Sequence, residues 1–117
     1  MKKRLAIQPD YQKIQIGEID NVISKLKTDG TPEERANNIS DQLLNSLKSR
    51  YLDLSDCQIS DEILQDILPL LSILNITSLD LSGNNMGPAG ATSLAKTLET
   101  NTSITELHLS DNDIGPD

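Results

Sequence analysis

The chain has 117 residues, 18 of them Asp or Glu against 10 Lys or Arg, for a formal charge of -8. Such a charge repels phosphate backbones and anionic headgroups and argues against nucleic acid or a membrane surface as partner. Residues 5–20 are too polar for a secretory leader or a membrane span, and the length supports one domain. With no Phe or Trp, two Tyr and the single Cys57, the core is aliphatic and has no internal disulfide, as suits an intracellular, cytoplasmic protein.

Along the chain, Lys2-Lys3-Arg4 reads as a solvated terminus. Tyr11-Gln-Lys-Ile14-Gln-Ile16 alternates and predicts a short extended piece, whereas Ile19, Val22, Ile23 and Leu26 fall on one helical face that Gly30 should end. Thr31-Pro32-Glu33-Glu34 opens a second helix: Thr31 is set to cap free N–H groups, Pro32 suits the first turn, and Glu34 completes a capping box. Ala36, Ile39, Leu43 and Leu47 form its inward stripe, and the helix is expected to run to about Ser49. Residues 1–49 thus read as a mainly helical N-terminal cap, and residues 50–117 as something different.

From Leu52 a segment recurs: Leu52-Asp-Leu54-Ser-Asp-Cys57-Gln-Ile59, then Leu79-Asp-Leu81-Ser-Gly-Asn84-Asn-Met86, then Leu107-His-Leu109-Ser-Asp-Asn112-Asp-Ile114. The leading leucines lie 27 and then 28 residues apart. A recurrence in this range marks a solenoid, whose units bury their apolar faces only by stacking. Leucines flanking one residue point the same way from a strand, so the residue between them faces outward. Cys57, Asn84 and Asn112 follow each strand where a buried polar group can serve the backbone of the turn. Ile59, Ile63, Ile67 and Leu71 match Met86, Gly90, Leu94 and Leu98, which predicts a helix after each strand, with Gly90, Ala91 and Ala95 letting the second helix come close to its strand.

The segment from Leu79 to Leu107 closely resembles the leucine-rich repeat of the ribonuclease-inhibitor type, through its Leu-x-Leu-x-x-Asn core, the Gly90-Ala91 helix start, the Leu94-Ala95 and Leu98 face, and Asn101 three residues before Ile104. The resemblance implies an α/β leucine-rich repeat solenoid, a short right-handed horseshoe arc of about two and a half repeats behind the helical cap. It also implies protein binding through the concave face. Relatives of this type include inhibitors of ribonucleases, sensor ends of NOD-like receptors, activators of Ran-type GTPases and effectors that bacteria deliver into host cytosol, and fold alone does not choose among them. Ser49, Cys57 and Ile63 depart from the pattern, so the first repeat reads as a capping unit. Asp117 aligns with Ala89, ahead of the third helix. The alternative expectation is therefore an N-terminal piece of a longer effector, receptor or GTPase-activating protein, with self-association through the C-terminal edge.

Outward positions of stacked strands form rows about 5 Å apart. Arg50, Tyr51 and Asp53, then Thr77, Ser78 and Asp80, then Thr105, Glu106 and His108 make up the expected partner-binding face. On it an acidic strip from Asp53 to Asp80, with Glu106 nearby, calls for a partner protein with a basic surface. Tyr51 is the natural anchor, offering a large contact at little entropy cost. No catalytic or cofactor-binding constellation is present. One Cys and one His make no zinc site, and Asp111-Asn112-Asp113 with Gly115 lacks the spacing of a calcium loop. The sequence reads as a binding module without enzymatic activity.

Overall fold

The computed structural model describes residues 3–84 and 86–112, with side chains from Tyr11 onward. Its elements are α1 (Lys3–Thr28), α2 (Glu33–Ser49), β1 (Tyr51–Asp53), α3 (Asp61–Ile67), α4 (Leu70–Ile73), β2 (Ser78–Asp80), α5 (Pro88–Thr100) and β3 (Glu106–His108).

The extended piece expected over Tyr11–Ile16 is absent; those residues are part of α1. The helical spacing of Tyr11, Gln15, Ile19, Ile23 and Leu26 outweighs the weak alternation. The Tyr11 hydroxyl (2.8 Å) and Gln15 Nε2 (3.0 Å) both donate to the carbonyl of Ile73 at the end of α4, while Ile19, Ile23 and Leu26 are buried. Gly30 does end the helix. At φ 105° it lets the Thr31 N–H reach the Leu26 carbonyl (2.9 Å) and its own N–H reach Lys27 (3.2 Å), the paired bonds of a Schellman motif.

Because Thr31 finishes α1, it does not open α2. The capping residue is Pro32, no side chain caps the helix, and the expected capping box does not form. The inward stripe is Ala36, Ile39, Leu43 and Ser46, with Leu47 only half-buried. Ser46 is tolerated inside because its hydroxyl donates to the Leu43 carbonyl at 2.7 Å. The helix stops at Ser49, as its stripe predicts.

β1, β2 and β3 form one parallel sheet in that order, with Leu52, Leu79 and Leu107 in register. Ladder bonds run past the three-residue strands, from Thr77 N–H to the Arg50 carbonyl (2.9 Å) down to Asp56 N–H to Ser82 and Gly83 N–H to Ser110 (both 2.9 Å). The chain turns away at Asp56, Gly83 and Asp111, all with φ between 54° and 68°. This left-handed region is open to glycine and tolerated by aspartate, which accounts for the residue types the repeat uses there.

A helical segment follows each of the first two strands. In the first repeat Pro69 divides it into α3 and α4, a break the apolar spacing did not reveal. In the second, α5 begins at Pro88, two residues before the expected Gly90 start. Gly90 packs not on its strand but on the preceding helix: a Cβ there would run into Asp61 Oδ1, and Leu64 Cδ2 lies 3.4 Å from the same point. Ala91 is half-buried and Ala95 exposed, so neither brings helix to strand. α1 packs on α2, α3 and α4, and α2 on β1. One contiguous cluster of aliphatic side chains runs from Ile19 through Leu43, Leu52 and Leu79 to Leu94. Among the described residues no helix is long and apolar enough to cross a membrane.

Candidate functional site

Each strand buries its middle leucine and turns its flanking residues outward, although Leu107 in β3 is only half-buried. Two outward rows result: Tyr51, Ser78 and Glu106 in one, Asp53, Asp80 and His108 in the other. The expected strip from Asp53 through Asp80 therefore continues into His108, and Glu106 lies in the neighbouring row. Thr77 and Thr105 precede their strands and bond along the ladder, Thr77 N–H to Arg50 and Thr105 N–H to Thr77. Arg50 departs from expectation. It is the left-handed C-cap of α2 (φ 61°), outside β1, and its N–H bonds back to the Ser46 carbonyl.

Asp53 and Asp80 carry a structural duty that the sequence did not announce. Asp53 Oδ1 accepts from the Ser55 N–H (3.0 Å) and hydroxyl (2.6 Å), and Asp80 Oδ1 accepts from the Ser82 N–H (2.9 Å). These are side chain-to-backbone turns two residues long, which Asp favours. The Ser82 backbone holds the Asp80 carboxyl below the usual carboxylate range, helped by the Ser82 hydroxyl, His108 and Tyr51. Tyr51 is 42% exposed. Desolvation, then the charges of Asp53, Asp80 and Glu106, push its phenol up.

In the other row Glu106 joins two neighbours. Its Oε1 accepts from the Ser78 hydroxyl at 3.0 Å, and its Oε2 lies 3.2 Å from His108 Nε2. The serine thus donates to the carboxylate and not to the imidazole, an order that does not activate it as a nucleophile. No group of three metal-ligating side chains occurs among the described residues. Asp113 and Gly115 of the weak calcium-like segment, and the position of a third helix, lie outside the described residues.

Beneath this face sits the residue that the repeat spacing singled out. Buried Asn84 accepts at Oδ1 from the N–H groups of Cys57 (3.0 Å) and Ile59 (2.9 Å), and donates from Nδ2 to the carbonyls of Leu54 (2.9 Å), Leu81 (2.8 Å) and Ser82 (3.3 Å). Asn112 repeats the arrangement one turn on, to Met86, Leu81, Leu109 and Ser110. Cys57 holds the same place in the first repeat, but a thiol does not serve a turn in this way. It receives Asn38 Nδ2 at 3.6 Å, and burial followed by Asp53 and Asp56 pushes its thiol up, away from reactivity. Cys57 lines a polar groove of about 570 Å³ with Pro32, Asn38, Asp41 and Asp56.

A family model of the leucine-rich repeat matches residues 50–68, 73–95 and 100–117, just over half the chain. No curated protein and no solved structure gave a match. The matched stretches each contain one strand of the sheet, with its middle leucine, its left-handed turn residue and the Cys57, Asn84 or Asn112 side chain that follows. On both grounds the chain belongs to the leucine-rich repeat family, whose repeats generally mediate protein–protein interaction and are typically not enzymes.

Proposed function

We propose that the chain is a protein-interaction module that docks a partner with a basic surface on the outward face of its sheet. In this reading the repeats over residues 50–117 are of the ribonuclease-inhibitor type and form a short arc whose concave side is that face, and residues 1–49 cap the first repeat. The observation that carries it is the pair of in-register rows: Tyr51, Asp53, Asp80 and Glu106 gather one aromatic ring and three carboxylates, with His108 the only basic-type side chain in the rows. Complementary charge steers encounter and sets register, and a central ring supplies contact area.

The turn bonds of Asp53 and Asp80 choose the test. Asn keeps an acceptor at Oδ1 and removes the charge, so D53N/D80N probes electrostatics without undoing the turns. Hexalysine, as a probe of basic surfaces, is titrated calorimetrically into the wild type, into D53N/D80N, and into D41N/E99Q, which removes the same charge from exposed helix positions. Affinity is expected to fall about tenfold in D53N/D80N, to fall much less in D41N/E99Q, and to weaken with salt. Equal losses in the two variants overturn the assignment of this face.

A further inference from the structure

The row that begins with Asp53 and Asp80 ends in His108, where the repeat pattern places a third aspartate. Asp53 and Asp80 face back to close their turns, whereas the His108 ring is paired sideways, with Nε2 3.2 Å from Glu106 Oε2. Charged and titratable groups surround it on every described side. Glu106 lies on its own strand, Asp80 beside it on β2, Asp53 and Tyr51 beyond on β1, and Asp111 in the turn that follows. No Lys or Arg is placed in these rows. The imidazole is about half exposed, so it exchanges protons freely with water. Imidazole is also the side chain whose charge ordinarily changes between about pH 5 and 8.

We propose that His108 makes this face proton-sensitive: as an imidazolium it pairs with Glu106 and offsets Asp80, and a basic partner is then held less tightly. The inference rests on the reading of the face as a docking surface for such a partner. The three carboxylates Asp53, Asp80 and Glu106 give the face a charge of -3 with neutral imidazole, and one added proton brings it to -2. An exposed ion pair is worth up to about 1 kcal/mol, so acidification should weaken binding by up to about fivefold.

His108 is the only histidine, so its ring proton resonances need no assignment. The first experiment records them by NMR at pH 5.5 in the intact chain, in D80N and in E106Q. Both substitutions are expected to move the ring resonances, because each removes a carboxylate that the ring faces; resonances that neither substitution moves overturn the proposal. The second measures hexalysine affinity at pH 5.5 and 7.0, below the range of the α-amino group. Wild-type affinity should drop at the lower pH, H108Q should bind alike at both, and H108K should bind at pH 7.0 as the acid form does. If H108Q keeps the wild-type pH dependence, the proton switch fails while the docking surface stands. If D53N/D80N binds hexalysine as well as the wild type does, the docking surface fails and the switch with it.

Discussion

Asn84 is the residue on which two repeats depend, because one amide serves five backbone groups drawn from both turns. Buried N–H and C=O groups are costly when unpaired, at about 1–3 kcal/mol each; the Leu81 and Ser82 carbonyls also receive Asn112 Nδ2 and the Asp56 N–H, but the Cys57 and Ile59 N–H groups and the Leu54 carbonyl rely on Asn84. Asn84→Ala should therefore cost about 3 kcal/mol in urea unfolding, whereas Cys57→Ala removes a weak sulfur contact and the packing of one buried sulfur and should cost less. Comparable losses for the two would show that the amide is not the keystone of the turn. Asp53 and Asp80 teach a related lesson: an outward carboxylate in this fold is first a turn-former, with Oδ1 committed to the backbone two residues on. Their role on the face and their role in the turn are separable only by a substitution that keeps an acceptor.

Helices α3 and α5 meet through a small side chain and a charge. The Gly87 N–H at the head of α5 donates to Asp61 Oδ1 at 2.9 Å, and Gly90 leaves the room that this carboxylate occupies. Gly90→Ala gains about 1 kcal/mol of helix propensity but displaces Asp61 from a charge-assisted bond worth about 1.5–3 kcal/mol. A net loss of about 1 kcal/mol is expected in the wild-type background. In Asp61→Ala, where that bond is already gone, the same change should stabilise. A double-mutant cycle by chemical denaturation checks the reversal of sign, and a loss of the same size in both backgrounds would refute the coupling.

One aliphatic cluster joins α1 and α2 to the sheet and to α5. Nearest-neighbour stacking transmits stability along such an array, so the chain should unfold in a single transition. Ile39→Ala in α2 and Leu79→Ala in β2 remove fully buried side chains. Each should cost about 2–5 kcal/mol and move the entire melt by circular dichroism. If Leu79→Ala instead splits the melt, leaving the α1 and α2 signal in place, the helices and the repeats are separate folding units.

Much of this architecture was legible without coordinates, because it is written in short range. The Leu-x-Leu spacing placed each strand, the Asn84 and Asn112 positions marked the buried turns, Gly30 ended α1, and the Ala36 to Leu43 stripe set α2. Each depends on residues a few positions apart, and local periodicity records such relations directly. The errors lie where a hydrogen bond that apolar spacing does not record decides, to a distant partner in one case and to a neighbouring helix turn in the others. Tyr11 and Gln15 are helical because the Ile73 carbonyl, about sixty residues away, receives both. Thr31 gave up its cap because the Schellman turn took its backbone, and Arg50 left the strand to close α2. The face itself was legible as a set of outward residues. The repeat alignment already sets His108 against Asp80, but the pairing of Glu106 with both Ser78 and His108 followed only from the tertiary structure, where side chains of neighbouring strands meet.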